Sequence, residues 1–504
     1  MPDLPTSPAR AVFRIDPRDD VAVTLRDIAA GEALEVDGAL VTARADIPKG
    51  HKIALAGVAA GAPVRKYGWP IGLATQAIQP GDHVHSHNVA TALVGEEGYR
   101  FEPTAAEPLP APAEGLTHFD GYRRADGRVG TRNEIWVLCT VGCVANTARR
   151  IAEAANRQFA GRVDGVHAFT HPFGCSQLGD DLSHTRSILA ALAAHPNAGG
   201  VLILGLGCES NQLDALLAAA PNIDRARLRS FTAQAEEDEI EAGLAAIAEL
   251  VAVAENDRRE PRPLSDLVLG LKCGGSDGFS GVTANPLVGA VADRLAAAGG
   301  TPVLTEIPEI FGAERLLMAR AIDRSVFEGT VEVVNAFKRY FLAHGEPVSE
   351  NPSPGNIAGG ITTLEEKSLG AVQKAGHAPL TQVLRYGERV GRKGLALLEA
   401  PGNDAVSSTA LTAAGATVIL FTTGRGTPLG FPAPTLKIAT NTALAEKKPR
   451  WIDFDAGVVL AGTDASDAAD ALLALVIETA SGRETRAERN GEREIALWKQ
   501  GVTL

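Results

Sequence analysis

The chain has 504 residues, of which 45% are hydrophobic and 22% charged, and at roughly 150 residues per domain this length allows about two to four domains. The formal net charge is −13 without a Lys/Arg block, which argues against nucleic acid or an anionic membrane surface as a partner. No signal-peptide pattern and no run of about 18 apolar residues occurs, so we expect a cytoplasmic protein without a membrane span.

Residues 12–92 consist of short strand patterns separated by turns. Runs such as VAVTLRDI and HKIALAGV alternate with Gly and Pro at strand spacing, which predicts a small β-rich domain. Residues 93–120 follow, with four prolines in FEPTAAEPLPAPAEG and no periodicity. We interpret them as an extended, fairly stiff linker.

The rest of the chain alternates between strand and helix patterns. NEIWVLCTVGC, VDGVHAFTHPFGC and GGVLILGLGC each predict a strand and a loop, and a helical pattern follows each of them. The alternation restarts at LVLGLKCGGSDG, and DAADALLALVIETASGR predicts a terminal amphipathic helix. Such alternation is typical of βαβ units with parallel sheets. We therefore predict two α/β regions, 121–260 and 261–504, divided near the charged segment ENDRREPRP.

Four predicted strands end close to a cysteine: Cys143, Cys175, Cys208 and Cys273. Ligands of open parallel sheets bind beyond the carboxyl ends of the strands, so the four thiols are expected to line one crevice. A small buried side chain without a function is the alternative for each of them. Thiolates suit iron or zinc, although no CxxC spacing is present. The odd total of five cysteines fits free thiols in a reducing compartment.

The segment GDHVHSHN carries His83, His85 and His87 at alternate positions. On a strand these side chains share a face, which predicts imidazoles able to bind a metal or transfer a proton. On a loop this argument does not apply. The nearby Lys52 and Lys66 are candidates for binding an anionic group, and solvated surface lysines are the alternative.

Three further stretches are polar where a core would be apolar. CGGSDGFSG, with Ser276 and Asp277, resembles a glycine-rich anion nest. NPSPGNIAGG, with Asn356, predicts a long binding loop, and Arg425 in FTTGRGTP is suited to bind a carboxylate. Each of these stretches is also compatible with an ordinary turn. GLGCES lacks the third glycine of the dinucleotide fingerprint, and no GxxxxGK[ST] loop occurs, so Glu209 in this stretch is a candidate for acid–base chemistry rather than for a nucleotide site.

With these motifs the chain resembles the altronate dehydratase family, which is related to galactarate dehydratases. The resemblance runs from about residue 20 to the C-terminus and is closer to altronate than to galactarate dehydratases. Members begin with a small SAF-type β-clip domain, in agreement with the β-rich segment at 12–92. The matching stretches include GHKIAL, KYGWPIG, GDHVHSHN, GRVGTRNE, GCSQLGDD, LGLGCESNQ, CGGSDGFSGVTANP, TEIPEIFGAE, ENPSPGN, GGITTLEEKSLG, FTTGRGTP and WIDFDAG.

The resemblance implies dehydration of D-altronate to 2-dehydro-3-deoxy-D-gluconate in galacturonate breakdown, with dependence on iron(II) or a similar metal such as manganese. Removal of the proton at carbon 2 leaves an enediolate that a metal stabilises as a Lewis acid, while side chains transfer the protons. An iron–sulfur cluster on the cysteines is a variant of this hypothesis. The expected partners are a small anionic sugar acid and further copies of the chain in a homo-oligomer.

Residues are assigned to these roles by their placement. The candidate catalytic residues are His85, His87, His171 and Glu209. The candidate metal ligands are His85, His87, Cys143, Cys175, Cys208 and Cys273. The candidate substrate-binding residues are Lys52, Lys66, Arg132, Asn133, Ser276, Asp277, Asn356 and Arg425.

Two positions depart from the family pattern. Ile357 stands where altronate dehydratases have lysine, and Ala371 where they have cysteine. Relatives that act on galactarate also lack this cysteine, so Ala371 is not expected to affect the chemistry, whereas Ile357 leaves the identity of the sugar acid open. One alternative is a lyase of the same family that acts on galactarate or another hydroxy acid. A second is a non-catalytic sugar-acid-binding protein, against which the thiols and the three histidines argue.

Overall fold

The N-terminal region is built from short antiparallel strands. The computed structural model describes residues 10–221 and 223–504. In the N-terminal region one sheet has the order β1-β2-β5-β8, β3 pairs with β4, and a third sheet has the order β6-β7-β9. The strands are β1 (Val12–Phe13), β2 (Val21–Thr24), β3 (Ala33–Val36), β4 (Ala39–Thr42), β5 (Lys52–Ala54), β6 (Pro63–Lys66), β7 (Trp69–Ala74), β8 (His83–Val84) and β9 (Val89–Ala90).

The second region is centred on a parallel sheet with the order β13-β12-β14-β15. Every residue of β12 and β14 is buried, as expected for parallel strands covered on both faces. The elements are β10 (His118–Arg123), β11 (Val129–Gly130), β12 (Glu134–Cys139), α1 (Ala145–Gln158), β13 (Val166–Phe169), α2 (Gly179–Ala193), β14 (Ala198–Gly205), α3 (Leu213–Ala218), β15 (Leu228–Thr232), α4 (Glu239–Ala254) and β16 (Glu260–Pro263).

The segment between these two regions has no helix or strand of its own until strand β10 begins at its end. Residues 93–117 contain no helix or strand, and they lie against the C-terminal region, where Tyr99 Oη donates to Glu314 at 2.5 Å. Strand β10 begins inside the predicted linker and pairs with β11 and β16 in an antiparallel sheet. The pairing of β10 with β16 therefore joins the two ends of the second region.

The C-terminal region contains a seven-stranded parallel sheet with the order β19-β20-β18-β17-β21-β22-β23. Its core is formed by strands such as β20 and β21, all of whose residues are buried. The elements are β17 (Val268–Cys273), α5 (Ala284–Ala297), β18 (Thr301–Leu304), α6 (Glu314–Met318), α7 (Arg324–Ala343), α8 (Pro354–Ala358), α9 (Leu364–Ala371), β19 (Leu380–Leu384), β20 (Leu395–Leu398), α10 (Asp404–Ala413), β21 (Val418–Thr423), β22 (Thr435–Ala439), α11 (Thr442–Lys447), β23 (Phe454–Asp455), α12 (Ala465–Ala480) and α13 (Arg486–Arg489).

Short 3-10 helices complete the secondary structure. One of them, Ile307–Ile310, follows β18 and carries a residue of the candidate site described below. The others lie at Gly142–Val144, Arg225–Arg227, Ala233–Ala235, Leu264–Asp266, Val372–Ala375 and Ala456–Val459.

The predicted fold class, a small β domain followed by α/β regions with mainly parallel sheets, is confirmed. Two local predictions are wrong. In GDHVHSHN only His83 and Val84 are in a strand, and the chain turns from residue 85 onward. NPSPGNIAGG contains the short helix α8 instead of an irregular loop, because Ser353 and Asn356 form a capping box at its start. Within the described residues no helix has the length and hydropathy to cross a membrane.

Candidate active site

A crevice opens at the carboxyl edge of the seven-stranded sheet. Strand order reverses at β17, because β18 lies on one side of it and β21 on the other, and ligands of open α/β sheets bind at such a switch point. Here β17 ends at Cys273, and Gly274 and Gly275 line a cavity of about 420 Å³ together with Glu309, Lys367 and other polar residues. The crevice therefore has the position and polarity of a substrate site.

Buried charges lie beneath this crevice. Lys272 Nζ contacts Glu306 and lies 3.0 Å from Asp404 Oδ1. Lys374 Nζ lies 3.2 Å from Glu306 Oε2 and 2.7 Å from Cys273 Sγ. Charged groups are costly to bury unless they are paired, and groups shifted by such neighbours cluster at functional sites.

The neighbours of these groups set their protonation. Burial would lower the pKa of Lys272 and of Lys374, but the Glu306 carboxylate and, for Lys374, the hydrogen bond to the Cys273 sulfur outweigh burial and raise it. Burial, reinforced by Glu306, raises the pKa of the Cys273 thiol to about 12. In this arrangement the two lysines are ammonium ions and the thiol keeps its proton.

Glu306 and Glu309 bring carboxylates to Cys273. One carboxylate oxygen of each lies 3.7 Å from Cys273 Sγ, and the donor atoms of the three residues all lie within 4.8 Å of one another. Glu306 has a φ of 70°, a conformation that costs on the order of 1–3 kcal/mol outside glycine. Its contacts with the Cys273 amide, at 3.1 Å, and with Lys272 stabilise this conformation.

The rim of the crevice carries three residues proposed from the sequence. Lys367 Nζ donates to Glu309 at 2.9 Å and to Asn356 Oδ1 at 3.2 Å. Asn356 Nδ2 in turn donates to the Ser276 carbonyl at 2.8 Å. Arg425 is exposed and contacts the carbonyl of Gly355, next to Asn356, at 3.4 Å. Asn356 and Arg425 are therefore at the crevice, whereas Ser276 contributes its backbone carbonyl.

Asp277 instead connects loops behind the rim. Its carboxylate accepts hydrogen bonds from Thr440 at 3.0 Å, from Asn441 at 3.2 Å and from Ser280 at 3.1 Å. Burial raises its pKa, an effect that the bonds from Thr440 and Ser280 oppose. The predicted substrate contact of Asp277 is thus replaced by a structural role.

A cluster of four histidines lies where the N-terminal region meets the C-terminal region. His51 Nδ1 lies 3.1 Å from His83 Nε2, and the ring centroids of His51 and His85 are 4.7 Å apart. His87 is exposed, with its ring centroid 5.3 Å from that of His83. His85 Nδ1 lies 3.1 Å from the hydroxyl of Thr362. The turn thus brings together rings that the sequence placed on a strand.

The inner imidazoles of this cluster are neutral. Burial and the neighbouring His51 lower the pKa of His83 to about 3. Burial and the Lys52 ammonium lower the pKa of His85 to about 4. A neutral imidazole can bind a metal or accept a proton. His51, which the sequence analysis did not identify, stands outside the GDHVHSHN motif and joins it only through the pairing of β5 with β8.

The two lysines predicted to bind an anionic substrate bind a carboxylate of the chain instead. Lys52 Nζ lies 2.9 Å and Lys66 Nζ 2.7 Å from the oxygens of Glu366, and all three side chains are buried. Burial would raise the pKa of Glu366, but the two ammonium groups lower it to about 2. Lys52 also donates to the Gly360 carbonyl at 2.7 Å. This group therefore connects the N-terminal region to α9, which corrects the predicted role of both lysines.

The four predicted thiols do not form one set. Cys143, Cys175 and Cys208 are exposed in the loops after β12, β13 and β14, at the carboxyl edge of the four-stranded sheet. Cys273 is buried at the end of β17, in the seven-stranded sheet. The expectation of a single crevice for all four is wrong, because the two groups of strands belong to different sheets.

His171 and Glu209 position the loops that carry the exposed thiols. His171 Nε2 lies 2.9 Å from the Cys139 carbonyl, and Nδ1 accepts from the Phe173 amide at 3.2 Å. Both ring nitrogens are thus engaged, and burial lowers the pKa of this imidazole. Glu209 accepts from the Gly207 amide at 2.6 Å and from Thr140. These contacts do not support the predicted acid–base role of either residue.

Arg132 and Asn133 have structural roles at the amino end of β12. Arg132 pairs with Glu488 at 2.8 Å, and its remaining N–H groups donate to backbone carbonyls and to the same carboxylate. Asn133 accepts from Arg124 at 3.0 Å and donates to the Ala254 carbonyl at 2.8 Å. Substrate binding by this pair is therefore not supported, since these groups already have partners within the chain.

Comparisons with known proteins divide the chain into the same three regions as the structure. Residues 10–92 match the altronate/galactarate dehydratase SAF domain. Residues 121–255 match the second domain of D-galactarate dehydratase/altronate hydrolase. Residues 264–503 match the C-terminal region of D-galactarate/altronate dehydratase.

Relatives match the chain over nearly its full length. Altronate dehydratase of Escherichia coli (strain K12) is 51% identical over 98% of this chain and 99% of its own length. Altronate dehydratase of Bacillus subtilis (strain 168) is 49% identical over 98% of this chain and 100% of its own length. Galactarate dehydratase (L-threo-forming) of E. coli is 35% identical over 95% of this chain and 94% of its own length. The chain belongs to the D-galactarate/altronate dehydratase family.

Proposed function

We propose that this protein is a hydro-lyase that dehydrates D-altronate to 2-dehydro-3-deoxy-D-gluconate. The observation that carries the proposal is the identity of 51% and 49% to two altronate dehydratases over 98% of the chain. The galactarate dehydratase is less similar, at 35%. We therefore favour altronate over galactarate as the substrate.

The carboxyl-edge crevice supplies the groups that bind such a substrate. Dehydration removes the proton at carbon 2 and the hydroxyl at carbon 3, and negative charge develops on the carboxylate. Lys367, Asn356 and the backbone of Gly274 and Gly275 line the crevice. Lys367 supplies a positive charge for the carboxylate, and Arg425 on the rim supplies a guanidinium that binds carboxylates with two N–H groups.

We propose iron(II), with manganese as the alternative, as the metal of this site. Cys273, Glu306 and Glu309 present one sulfur and two carboxylate donors within 4.8 Å of one another, a set that fits a divalent transition metal. Ligation by Cys273 would replace the thiol proton and the contact with Lys374. When bound, the metal supplies Lewis-acid stabilisation of the charge on the substrate carboxylate.

We propose that the histidine cluster transfers protons. His85 is neutral and contacts Thr362, which follows the helix α8 that carries Asn356 into the crevice. His85 would accept the proton from carbon 2, and the exposed His87 would exchange protons with solvent. This assignment retains two of the three histidines proposed from the sequence, His85 and His87, and leaves His171 out.

An assay of the purified, iron-loaded protein with several sugar acids tests the proposed substrate. D-altronate should give the 2-keto-3-deoxy product, with a larger kcat/KM than galactarate or a sulfonated hydroxy acid. Lys367→Ala should lower kcat about 10²–10³-fold, as loss of a charge-stabilising donor does elsewhere. Lys393→Ala is the matched control, because Lys393 is exposed and its Nζ contacts the Ser265 carbonyl.

Two outcomes would contradict the proposal in different ways. Turnover of galactarate without turnover of altronate would assign the chain to another substrate of the same family. Tight binding of D-altronate without product, unchanged by a chelator, would instead support the non-catalytic alternative.

A further inference from the structure

Three loops at the carboxyl edge of the four-stranded sheet each carry a glycine followed by a cysteine. The loops follow the neighbouring parallel strands β13, β12 and β14, and the cysteines are Cys175, Cys143 and Cys208. All three thiols are exposed, whereas Cys139 at the end of β12 is buried. Three adjacent strand ends therefore present three accessible thiols on one side of the sheet.

The backbone conformation of these loops requires glycine before the thiol. Gly174 has a φ of 100°, and a Cβ there would lie 2.2 Å from the Thr140 carbonyl. Gly207 has a φ of 131°, and a Cβ there would lie 2.6 Å from Gln234 Oε1. A side chain at Gly174 would prevent the close approach of its loop to the loop after β12. At Gly207 the backbone conformation itself favours glycine, because the Gln234 side chain is flexible and can move away.

Hydrogen bonds connect the three loops at the residues next to the thiols. The Gly142 amide donates to the Phe173 carbonyl at 2.8 Å. Asn211 donates through its backbone amide to the Gly174 carbonyl at 3.0 Å and through Nδ2 to the Thr140 carbonyl at 3.1 Å. The backbone that carries the thiols is therefore braced from one loop to the next, as a preformed ligand site requires.

Among residues 10–221 and 223–504, the hydrogen-bond partners of the exposed thiols are neutral. Cys175 Sγ lies 3.7 Å from Ser176 Oγ, and Gln234 Nε2 lies 3.6 Å from Cys208 Sγ. The nearby carboxylate of Glu209 is directed at Thr140 and backbone amides. Within the part of the chain that the structure describes, these three soft donors have no paired ammonium group and are available for a thiophilic metal group.

The spacing of the thiols disfavours a single ion. A tetrahedral ion with metal–sulfur bonds of about 2.3 Å holds its thiolates about 3.8 Å apart. The three sulfur atoms are not all within 4.8 Å of one another. A cluster in which each thiolate binds a different iron atom spans a larger separation.

We propose that Cys143, Cys175 and Cys208 bind a [4Fe–4S] cluster that has one iron without a cysteine ligand. When a preassembled cluster is transferred from a thiolate-ligated donor, three iron–sulfur bonds to donor thiolates break as three bonds to the cysteines form. The three cysteine thiol protons pass to the released donor thiolates, and no electron is transferred. The iron without cysteine is open to an oxygen donor from solvent or from a hydroxy acid. This site lies in another domain from the crevice of Cys273, and so the inference goes beyond the proposed function.

Iron and acid-labile sulfide in anaerobically purified protein test this inference. The wild-type chain should hold about four sulfides, with about four irons assigned to the cluster, and should show visible charge-transfer absorption. Cys143→Ala, Cys175→Ala and Cys208→Ala should each lose most of the sulfide and the absorption. Cys139→Ala and Cys273→Ala should keep both, because neither residue belongs to the three loops.

Mild oxidation provides a second readout. The iron without a cysteine ligand is the least firmly held, so oxidation should release one iron per cluster and give the electron paramagnetic resonance signal of a [3Fe–4S] cluster. Wild-type protein with iron but no acid-labile sulfide would overturn the inference. Full retention of sulfide in the three variants at exposed thiols would overturn it as well.

The same samples separate this inference from the proposed function. Protein that holds the sulfide but does not convert D-altronate contradicts the proposed function alone. Protein that converts D-altronate without any sulfide contradicts the cluster alone. Circular dichroism of each variant identifies a loss of sulfide that is caused by misfolding, and such a variant is replaced by the corresponding Cys→Ser substitution.

Discussion

At the carboxyl edge of the four-stranded sheet three thiols are exposed, and their partners are a hydroxyl and an amide. At the carboxyl edge of the seven-stranded sheet Cys273 is buried between two carboxylates and the Lys374 ammonium. Both edges are the places where parallel sheets bind ligands. A strand end therefore determines where a side chain is placed, whereas the neighbouring loops determine its chemistry.

The two edges are also stabilised in different ways. Beneath the crevice, Lys272, Lys374 and Glu306 are buried, and each needs its partners because an unpaired buried charge is strongly destabilising. Around the exposed thiols, backbone hydrogen bonds and close glycine contacts hold the loops. Electrostatic pairing dominates at one edge and backbone geometry at the other.

Thiol reactivity should show the largest difference between the edges. In reduced, metal-free native protein, Cys143, Cys175 and Cys208 should be alkylated quickly. Cys139 and Cys273 should react at least about 10³-fold more slowly, since modification of a core residue requires an opening that approaches the global free energy of unfolding. Mass spectrometry of each cysteine-containing peptide measures this. Equal rates at Cys273 and Cys208 would contradict the described burial.

Loss of one buried charge beneath the crevice should have the next largest effect, a decrease in the free energy of unfolding. Glu306→Gln should lower the free energy of unfolding by about 3–5 kcal/mol, because it leaves Lys272 and Lys374 without their shared carboxylate. Urea denaturation measures this change. The control is Glu332→Gln, which breaks a solvent-exposed pair with Arg339 and should change stability by about 1 kcal/mol or less. Similar losses of unfolding free energy in both variants would contradict the larger contribution assigned to the buried pairs of Glu306.

Glu366 should make stability depend on acid pH. Its pKa is lowered from 4.5 to about 2 by Lys52 and Lys66, against the effect of burial. The stabilisation is thus fully present above about pH 4.5 and is lost as the pH falls to about 2, with a magnitude of about 3 kcal/mol. Denaturation across this range measures it. Glu366→Gln should remove this component, and an unchanged pH dependence in the variant would contradict the assignment.

Removal of the C-terminal residues 500–504 should have the smallest effect. The amides of Gln500 and Gly501 donate to Asp181 at 2.7 and 2.9 Å, and the Leu504 amide donates to the Ser176 carbonyl at 3.0 Å. Their loss should cost about 1–3 kcal/mol and speed the alkylation of Cys175 relative to Cys143. Val502→Ala is the control, because Val502 is exposed. An unchanged ratio of the alkylation rates of Cys175 and Cys143 would show that residues 500–504 do not stabilise the loop of Cys175.

Local patterns of residues along the chain predict the fold class and the placement of the thiols near strand ends. Apolar runs such as VLILG, followed by glycine and helical patterns, are local signals, and each predicts a strand, a turn or a helix from a few residues. The same local information placed Asn356 and Arg425 in polar segments, where the structure finds them at the crevice. The resemblance to the dehydratase family rested on motifs of this kind.

Which of these groups meet depends on the packing of elements that are far apart in the sequence. The separation of Cys273 from the other thiols depends on which strands pair, and its partners Glu306 and Glu309 lie on a segment after a different strand. His51 joins the other histidines through the pairing of β5 with β8, and Lys52 and Lys66 meet Glu366 about 300 residues further along the chain. Such contacts depend on non-local packing, which residue type and periodicity along the sequence do not encode.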